Sequence, residues 1–326
     1  MEPDIAPLVN LNELREWILY EDDDVLVLDK PGWLVCHPSK NGPFSSLVGA
    51  AKEYLGVDSI HLASRLDRET SGVVLLAKHK KAASYWQKAI EEKRVKRRYL
   101  AILRGEVQEN IEVSNFLGND PDSEVFVKQR VLLKNSKKAK KAETIFEPIV
   151  VSKQYSFCRI RTLSGRKHQI RAHAQWAGYE LVGEKLYGPD EKIYLEFCEK
   201  GWQDEWMQTL GMKRQALHGE WLGFDHAGGE SFSAPLAQDM MGFLESNMGL
   251  ERNKILKRLY SFCSSKISNL GFNLEICMHN SLPILPPAPV TRMVFPEIFF
   301  NILGLFTRCF LPKISSMIIG LGTNLL

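Results

Sequence analysis

Arg65-Leu66-Asp67-Arg68-Glu69-Thr70-Ser71-Gly72 runs directly into Val73-Val74-Leu75-Leu76-Ala77. The second run is short, apolar and partly β-branched, the pattern of a strand buried on both faces. The first ends in Thr-Ser-Gly turn chemistry. Their junction sets one carboxylate and two guanidiniums at the edge of a buried sheet. An aspartate there is ionised at neutral pH, because its free pKa of about 3.9 falls further beside an arginine. Such a group suits a nucleophile or a base, not an acid. Spacing alone favours a structural ion pair of Arg65, Asp67 and Arg68 that braces a turn.

Upstream, residues 25–29 (VLVLD) predict a strand closed by Lys30-Pro31-Gly32, and 33–37 (WLVCH) resumes an extended pattern, so the opening reads as paired strands. From Ser45 to Leu55 the spacing is helical, with Leu47, Ala50, Ala51 and Leu55 on one face and Gly56 as a stop. Downstream, 79–93 predicts a helix with Ala82, Trp86, Ala89 and Ile90 on one face, and 99–104 a strand. β-rich runs follow at 124–127, 143–150 and 155–163. Ser164-Gly165 breaks them and starts a helix that Gly178 ends, with Ile170, Ala174 and Ala177 on one side and His168, Arg171 and Gln175 on a polar side. Residues 189–211 read as helical, 216–224 as a strand and 235–249 as a last helix. Without regular βαβ alternation the fold class is α+β, a mixed, largely antiparallel sheet with flanking helices.

A chain of 326 residues that is 44% hydrophobic buries a sizeable core, and its net charge of +3 hides local clusters of both signs. Six cysteines fall singly, as reduced thiols rather than a disulfide framework. The acidic start lacks the apolar region of a secretory signal, which makes the cytoplasm the expected compartment. Composition shifts near residue 247. The tail carries the Pro-rich LPILPPAP at 282–289 and apolar runs at 298–307 and 314–326, each shorter than the roughly 20 residues of a membrane span. Residues 1–20 are therefore read as a lead-in, 21–246 as the working domain, and 247–326 as an extension, poorly ordered or weakly packed and without firm membrane association.

Two further segments carry chemistry. Gly165-Arg166-Lys167-His168-Gln169-Ile170-Arg171-Ala172-His173 packs donors at a predicted helix start, which suits an anion site or simply a solvated basic face. His168 and His173 are five apart and do not stack as metal ligands, so no metal is expected. Lys93, Arg94, Lys96, Arg97 and Arg98 run into Tyr99, and Lys128 to Lys141 holds seven cations and no acid. Two such clusters point to a polyanion partner, since dispersed Lys and Arg neutralise phosphates well. Tyr99 is either a core residue of its strand or a platform for a nucleobase. Dinucleotide, Walker, nucleophile-elbow and zinc motifs do not occur, so a reaction here needs no cofactor.

In combination these segments resemble the RluA-type RNA pseudouridine synthase family, across about residues 18–236. Asp29-Lys30-Pro31-Gly32 with His37-Pro38 is similar to the family's K-P-x-G and H-P element, and Arg65 to Gly72 to its R-L-D-x-x-T-S-G signature. Arg98-Tyr99 through Gly105, Gly165 to His173, Val182 to Gly188 and Leu217-His218 resemble the later motifs, in the family's order. Ser64 stands where a His commonly precedes the signature, and Glu184 where an Asp is usual. No S4-like RNA-binding domain is read ahead of the first strand.

The resemblance implies a pseudouridine synthase fold with a central cleft, and an isomerase acting on rRNA or tRNA, as a monomer and without cofactor. It implies that Asp67 starts breakage of the glycosidic bond, that Tyr99 stacks on the flipped base, and that Arg171 pairs with Asp67. Arg65 would enter the RNA helix, with Arg68, Lys96, Arg97, Arg98, Arg166, Lys167, His168 and Gln169 as further RNA contacts. A non-catalytic RNA-binding or ribosome-assembly protein is the alternative. A glycoside hydrolase fits less well, because that chemistry flanks the bond with two carboxylates and Glu69 has no evident reason to face Asp67.

Overall fold

A computed structural model describes residues 8–37, 42–134, 138–226 and 229–259. Helix α1 (Leu11–Glu16) leads into strands β1 (Ile18–Glu21) and β2 (Val25–Lys30), then helix α2 (Leu47–Leu55), the short β3 (His61–Leu62) and β4 (Ser71–Ala77). Helix α3 (Lys80–Glu91) precedes β5 (Val95–Arg104), β6 (Ile111–Asn119), β7 (Gln129–Leu132), β8 (Lys140–Val151) and β9 (Tyr155–Thr162). Helices α4 (Gln169–Trp176), α5 (Lys192–Lys200) and α6 (Trp206–Leu210) follow, then β10 (Leu217–Phe224), β11 (Ser231–Ser233) and α7 (Gln238–Met248).

The strands form one sheet in the order β1-β2-β4-β10-β5-β9-β8-β6-β7, with β11 beside β10 and β3 beside β4. Every pairing is antiparallel except β4 with β10. The expected α+β class, mixed and largely antiparallel, is the observed one. All seven residues of β4 are buried, as its unbroken apolar run requires. Val74 and Leu76 pack with α1 and α2 on one face, while Val73 and Leu75 meet Trp86 and Ala89 of α3 on the other.

One row of the register positions the site. Lys30 lies opposite Gly72, Gly72 opposite Gly219, Gly219 opposite Tyr99, and Tyr99 opposite Ile160. Gly72 is needed where it stands. A Cβ on it would fall 2.2 Å from the Gly219 carbonyl oxygen, and its φ is +111°, whereas a Cβ on Gly219 would make only ordinary contact with Leu66 at 3.6 Å. The bare strip lets the segment before β4 lie on the sheet beside Tyr99.

α2 begins two residues later than the periodicity suggested, because Ser46 caps it by accepting the Gly49 N–H at 3.1 Å. Ser46 is fully buried. Ser46→Ala is expected to cost about 1 kcal/mol of stability, read as a lower urea midpoint at unchanged slope.

Several expectations need correction. Residues 33–37 make a single bridge, Val35 to Ser46, rather than a strand, since the Pro31 and Leu34 carbonyls are taken by a side chain. Residues 124–127 are turns, and β7 lies just after them. The predicted helix at 189–211 is two helices, α5 and α6, parted at Gly201, whose φ is +75°. The boundary at 247 falls inside α7, and a further helical stretch at 252–259 places Ile255 and Leu259 in the core with Met240 and Leu244. Apolar residues on that stretch carry the packing past the compositional shift. The extension beyond 259 lies outside the described residues.

Candidate active site

Lys30 closes β2 on the face of Leu26 and Leu28, and its side chain is fully buried. Its ammonium donates to the carbonyls of Pro31 (2.7 Å), Leu34 (2.8 Å) and Arg68 (3.0 Å). Burial pulls its pKa down to about 7, and three carbonyl acceptors match the three N–H bonds of the charged form. The Arg68 contact fastens the turn that carries Asp67. Gln215 donates to the Thr70 hydroxyl at 2.7 Å, and Ser71 meets His218 at 2.9 Å, so the far end of the turn is held as well.

Asp67 projects into an open cleft that Tyr99, Arg65, Arg166, His168 and Arg171 also line. Arg171 donates from Nη1 to Asp67 Oδ2 at 3.1 Å. The rest of its guanidinium is clasped by Glu184, Nε to Oε2 and Nη2 to Oε1, both at 2.7 Å. Glu184 is buried, and its Oε1 also accepts the N–H groups of Leu186 and Tyr187. This chain of contacts gives Arg171 a fixed direction, since a bidentate fork admits one orientation.

Burial opposes a charge on Asp67, yet Arg171, the adjacent His168 and Lys30 outweigh it and hold the carboxyl below its usual range. For Glu184 too, burial acts against the charge, and the Arg171 fork with two backbone N–H groups prevails. Burial raises the pKa of the Tyr99 phenol, more than the adjacent Arg97 lowers it, so the ring stays neutral beside the carboxylate. Burial and Arg171 lower His168 to about 4, which leaves it uncharged at neutral pH.

The three residues expected to meet, Asp67, Tyr99 and Arg171, do line one cleft, and the ion pair is present. Arg65 and Arg166 stand exposed at its rim, and Arg166 donates to the Lys141 carbonyl at 3.1 Å, which brings the basic 138–141 segment alongside. Arg97 and Arg98 line an adjoining groove with Arg65 and Trp221, the Arg98 guanidinium 4.4 Å over the Trp221 ring. Arg68 leans on Phe197 and donates to the Trp33 carbonyl. Lys96 lines neither the cleft nor that groove, and Lys167 is exposed beside them.

Gln169 does not fit the RNA-contact role. It is 4% exposed, and its amide is spent on Ser164, the Arg166 N–H, Thr144 and the Glu143 carbonyl. At the start of this helix, α4 begins only at Gln169, whose own side chain takes the Arg166 N–H. The polar side expected of α4 is mostly interior: residues 169–174 are buried, because Arg171 and His173 find partners inside, and Gln175 alone of that side is exposed. The basic run at 128–141 is partly neutralised, Lys128 by Glu191 and Arg130 by Asp120 and Asp122.

Lys30, Glu184 and Tyr187 lie in the motifs that carry the family resemblance, but sequence reasoning assigned none of them a role in the site. Lys30 was legible, because in β2 it shares the inward parity of Leu26 and Leu28. The roles of Glu184 and Tyr187 were not legible, since they lie in an irregular segment with no periodicity to show which way they face. Glu69 is occupied with Lys185 at 2.7 Å, so it does not form a second carboxylate facing Asp67.

Comparison with known proteins gives the family and the fold. The sequence pattern of the family described as RNA pseudouridylate synthase matches residues 24–176. An uncharacterized RNA pseudouridine synthase, YjbO of Bacillus subtilis, is 35% identical over 68% of this chain and 73% of its own length. The ribosomal large subunit pseudouridine synthase C of Escherichia coli is 31% identical over 70% of this chain and 68% of its own. In structure, human RNA pseudouridylate synthase domain containing 4 superposes with a TM-score of 0.57 at 20% identity, covering 72% of this chain and 94% of that one, a likeness of fold.

Proposed function

The chain belongs to the RNA pseudouridine synthase family and is an RNA-modifying isomerase; from that premise we propose that Asp67 is its reacting carboxylate and that its substrate is large-subunit ribosomal RNA. The observation that carries the first part is the Arg171 to Asp67 contact at 3.1 Å, in a cleft shared with Tyr99. An ionised carboxylate held from one side acts on the ribose of a flipped uridine, while Tyr99 offers its ring to the base. The N1–C1′ bond breaks, the uracil turns, C5 bonds to C1′, and the C5 proton is lost as N1 gains one. The sum is an isomerisation that consumes no donor. The ribosomal substrate is supported by the named relatives that match across most of the chain. The competing view of a non-catalytic RNA-binding protein finds no such support. The same proposal keeps the chain in the cytoplasm, in line with free thiols at Cys36, Cys158 and Cys198, and acting as a monomer. Among the described residues no helix is long and apolar enough to cross a membrane.

The test is tritium release. Unmodified large-subunit ribosomal RNA carrying tritium at uracil C5 should lose label to water on incubation with the protein, and absence of release would leave the ribosomal assignment without basis. Phosphate contacts are expected from the exposed rim. Arg65→Ala and Arg166→Ala should each weaken RNA binding and lower the slope of log K against log salt by about 1, measured by filter binding from low to moderate salt.

A further inference from the structure

His168 is one of two non-glycine residues with positive φ among the described residues, at φ 51° and ψ 21°. A left-handed backbone on a side-chain-bearing residue is strained, and such strain collects at working sites. Here it turns the imidazole away from solvent: the side chain is 10% exposed, with Nε2 3.9 Å from Asp67 Oδ2. Nδ1 lies 2.9 Å from the Tyr187 hydroxyl.

Tyr187 decides which ring nitrogen carries the proton. It is fully buried, and its oxygen accepts the Gln129 backbone N–H at 2.8 Å. The hydroxyl then has one proton to give, and His168 Nδ1 is the acceptor within reach among the described residues. The opposite tautomer would strand that proton in the interior and aim the Nε2 lone pair at a carboxylate, both unfavourable. The same tyrosine ring lies 5.1 Å below the Arg171 guanidinium and edge-on to His168, so one buried residue supports both groups that address Asp67.

Both groups address the same oxygen. Oδ2 receives Arg171 and faces His168, while Oδ1 accepts no hydrogen bond among the described residues. We propose that His168 is a positioning residue, locked by Tyr187 and Gln129 as the Nε2–H tautomer, which presents that N–H to Asp67 Oδ2 and leaves Oδ1 as the oxygen that reacts. This rests on Asp67 being the reacting carboxylate. It replaces the RNA-contact role first expected of His168. At 3.9 Å the pair is wider than a hydrogen bond, and such contacts in ligand-free sites tighten when substrate binds. The charged and titratable groups around the ring are Arg171, Asp67, Glu184 and Lys167, with Tyr187 on Nδ1.

Two measurements on the full chain test it. Long-range proton–nitrogen correlation on histidine-labelled protein reads the tautomer without any substrate, with His168→Asn identifying the resonance. A His168 ring protonated on Nε2, and a change to mixed tautomers in Tyr187→Phe, is the expected result; protonation on Nδ1 overturns the proposal. The second measurement is single-turnover tritium release from large-subunit ribosomal RNA. Asn tolerates the left-handed backbone, so His168→Asn should fold with a near-native melting temperature. Its rate should fall about tenfold to a hundredfold, and that of Tyr187→Phe about tenfold, with RNA binding unchanged. Wild-type rates in both variants overturn the proposal. If the wild type itself releases no tritium, the ribosomal assignment has failed, and the tautomer measurement still decides the present one.

Discussion

Asp67→Asn is expected to abolish tritium release, by at least about 10⁴-fold, while RNA binding and folding survive. Asn keeps the shape of the side chain and an oxygen that still accepts from Arg171 Nη1. It loses the negative charge and the nucleophilic or basic oxygen, and removal of a group that makes or breaks the covalent bond costs factors of this order or more. The fold should tolerate the change. The Asp67 side chain is 35% exposed, and Arg171 keeps both of its bonds to Glu184. A melting temperature within a few degrees and an RNA dissociation constant within a few-fold of wild type would show that only chemistry was removed. Release above about one per cent of the wild-type rate would exclude Asp67 as the reacting group. The pH dependence follows from the same contacts. Because Asp67 is held below the ordinary carboxylate range, it remains charged throughout the neutral and mildly acidic range. The rate should therefore show no loss from Asp67 protonation until the pH falls below about 4.

Glu184→Gln carries the largest expected effect on stability. Both carboxylate oxygens serve the buried Arg171, and one also accepts two backbone N–H groups. Neutralising this partner leaves a guanidinium that is 6% exposed with only the partly exposed Asp67 to balance it. Breaking a buried ion pair from one side costs about 3–5 kcal/mol, to be read from the urea midpoint. A loss below about 1 kcal/mol would mean that solvent or a rearranged partner takes over the charge. Acid titration gives an independent check. The folded pKa of Glu184 lies below its unfolded value, near 4.3. Its contribution is therefore fully present above that unfolded value and lost as pH falls through the lower folded one. The variant lacks the group, so its stability should fall less steeply than the wild type's as the solution is acidified below about pH 4. Turnover should drop as well, because Arg171 no longer has a fixed direction toward Asp67.

The local patterns were legible wherever one residue's surroundings are set by its chain neighbours. The all-buried run 73–77, the amphipathic helices around Leu47 and Trp86, and the turn before β4 were predicted within a residue or two. The signature at 65–72 marked the site for the same reason, since its turn chemistry and charges are contiguous. Where a boundary depends on distant partners the prediction slipped. The helix at 165–178 begins only at Gln169, because that residue's side chain reaches back to Ser164 and the Arg166 N–H. β1, β6 and β7 went unread, because strands of mixed polarity gain their identity from the strands they pair with.

By itself the sequence placed Asp67 among arginines in the turn before a buried strand, set Tyr99 and Arg171 with it in the order of a known family, and pointed to a polyanion partner. Only the tertiary structure decided what holds Asp67. The parallel pairing of β4 with β10 sets Gly72, Gly219 and Tyr99 in one row, Lys30 ties down the Arg68 carbonyl, and Glu184 with Tyr187 supports both neighbours of the carboxylate. Asp67 and Arg171 lie 104 residues apart in the chain, yet they meet at 3.1 Å. The physical reason is that charge and periodicity act locally along a chain, whereas the burial that makes an ion pair directional is created by every strand closing around it.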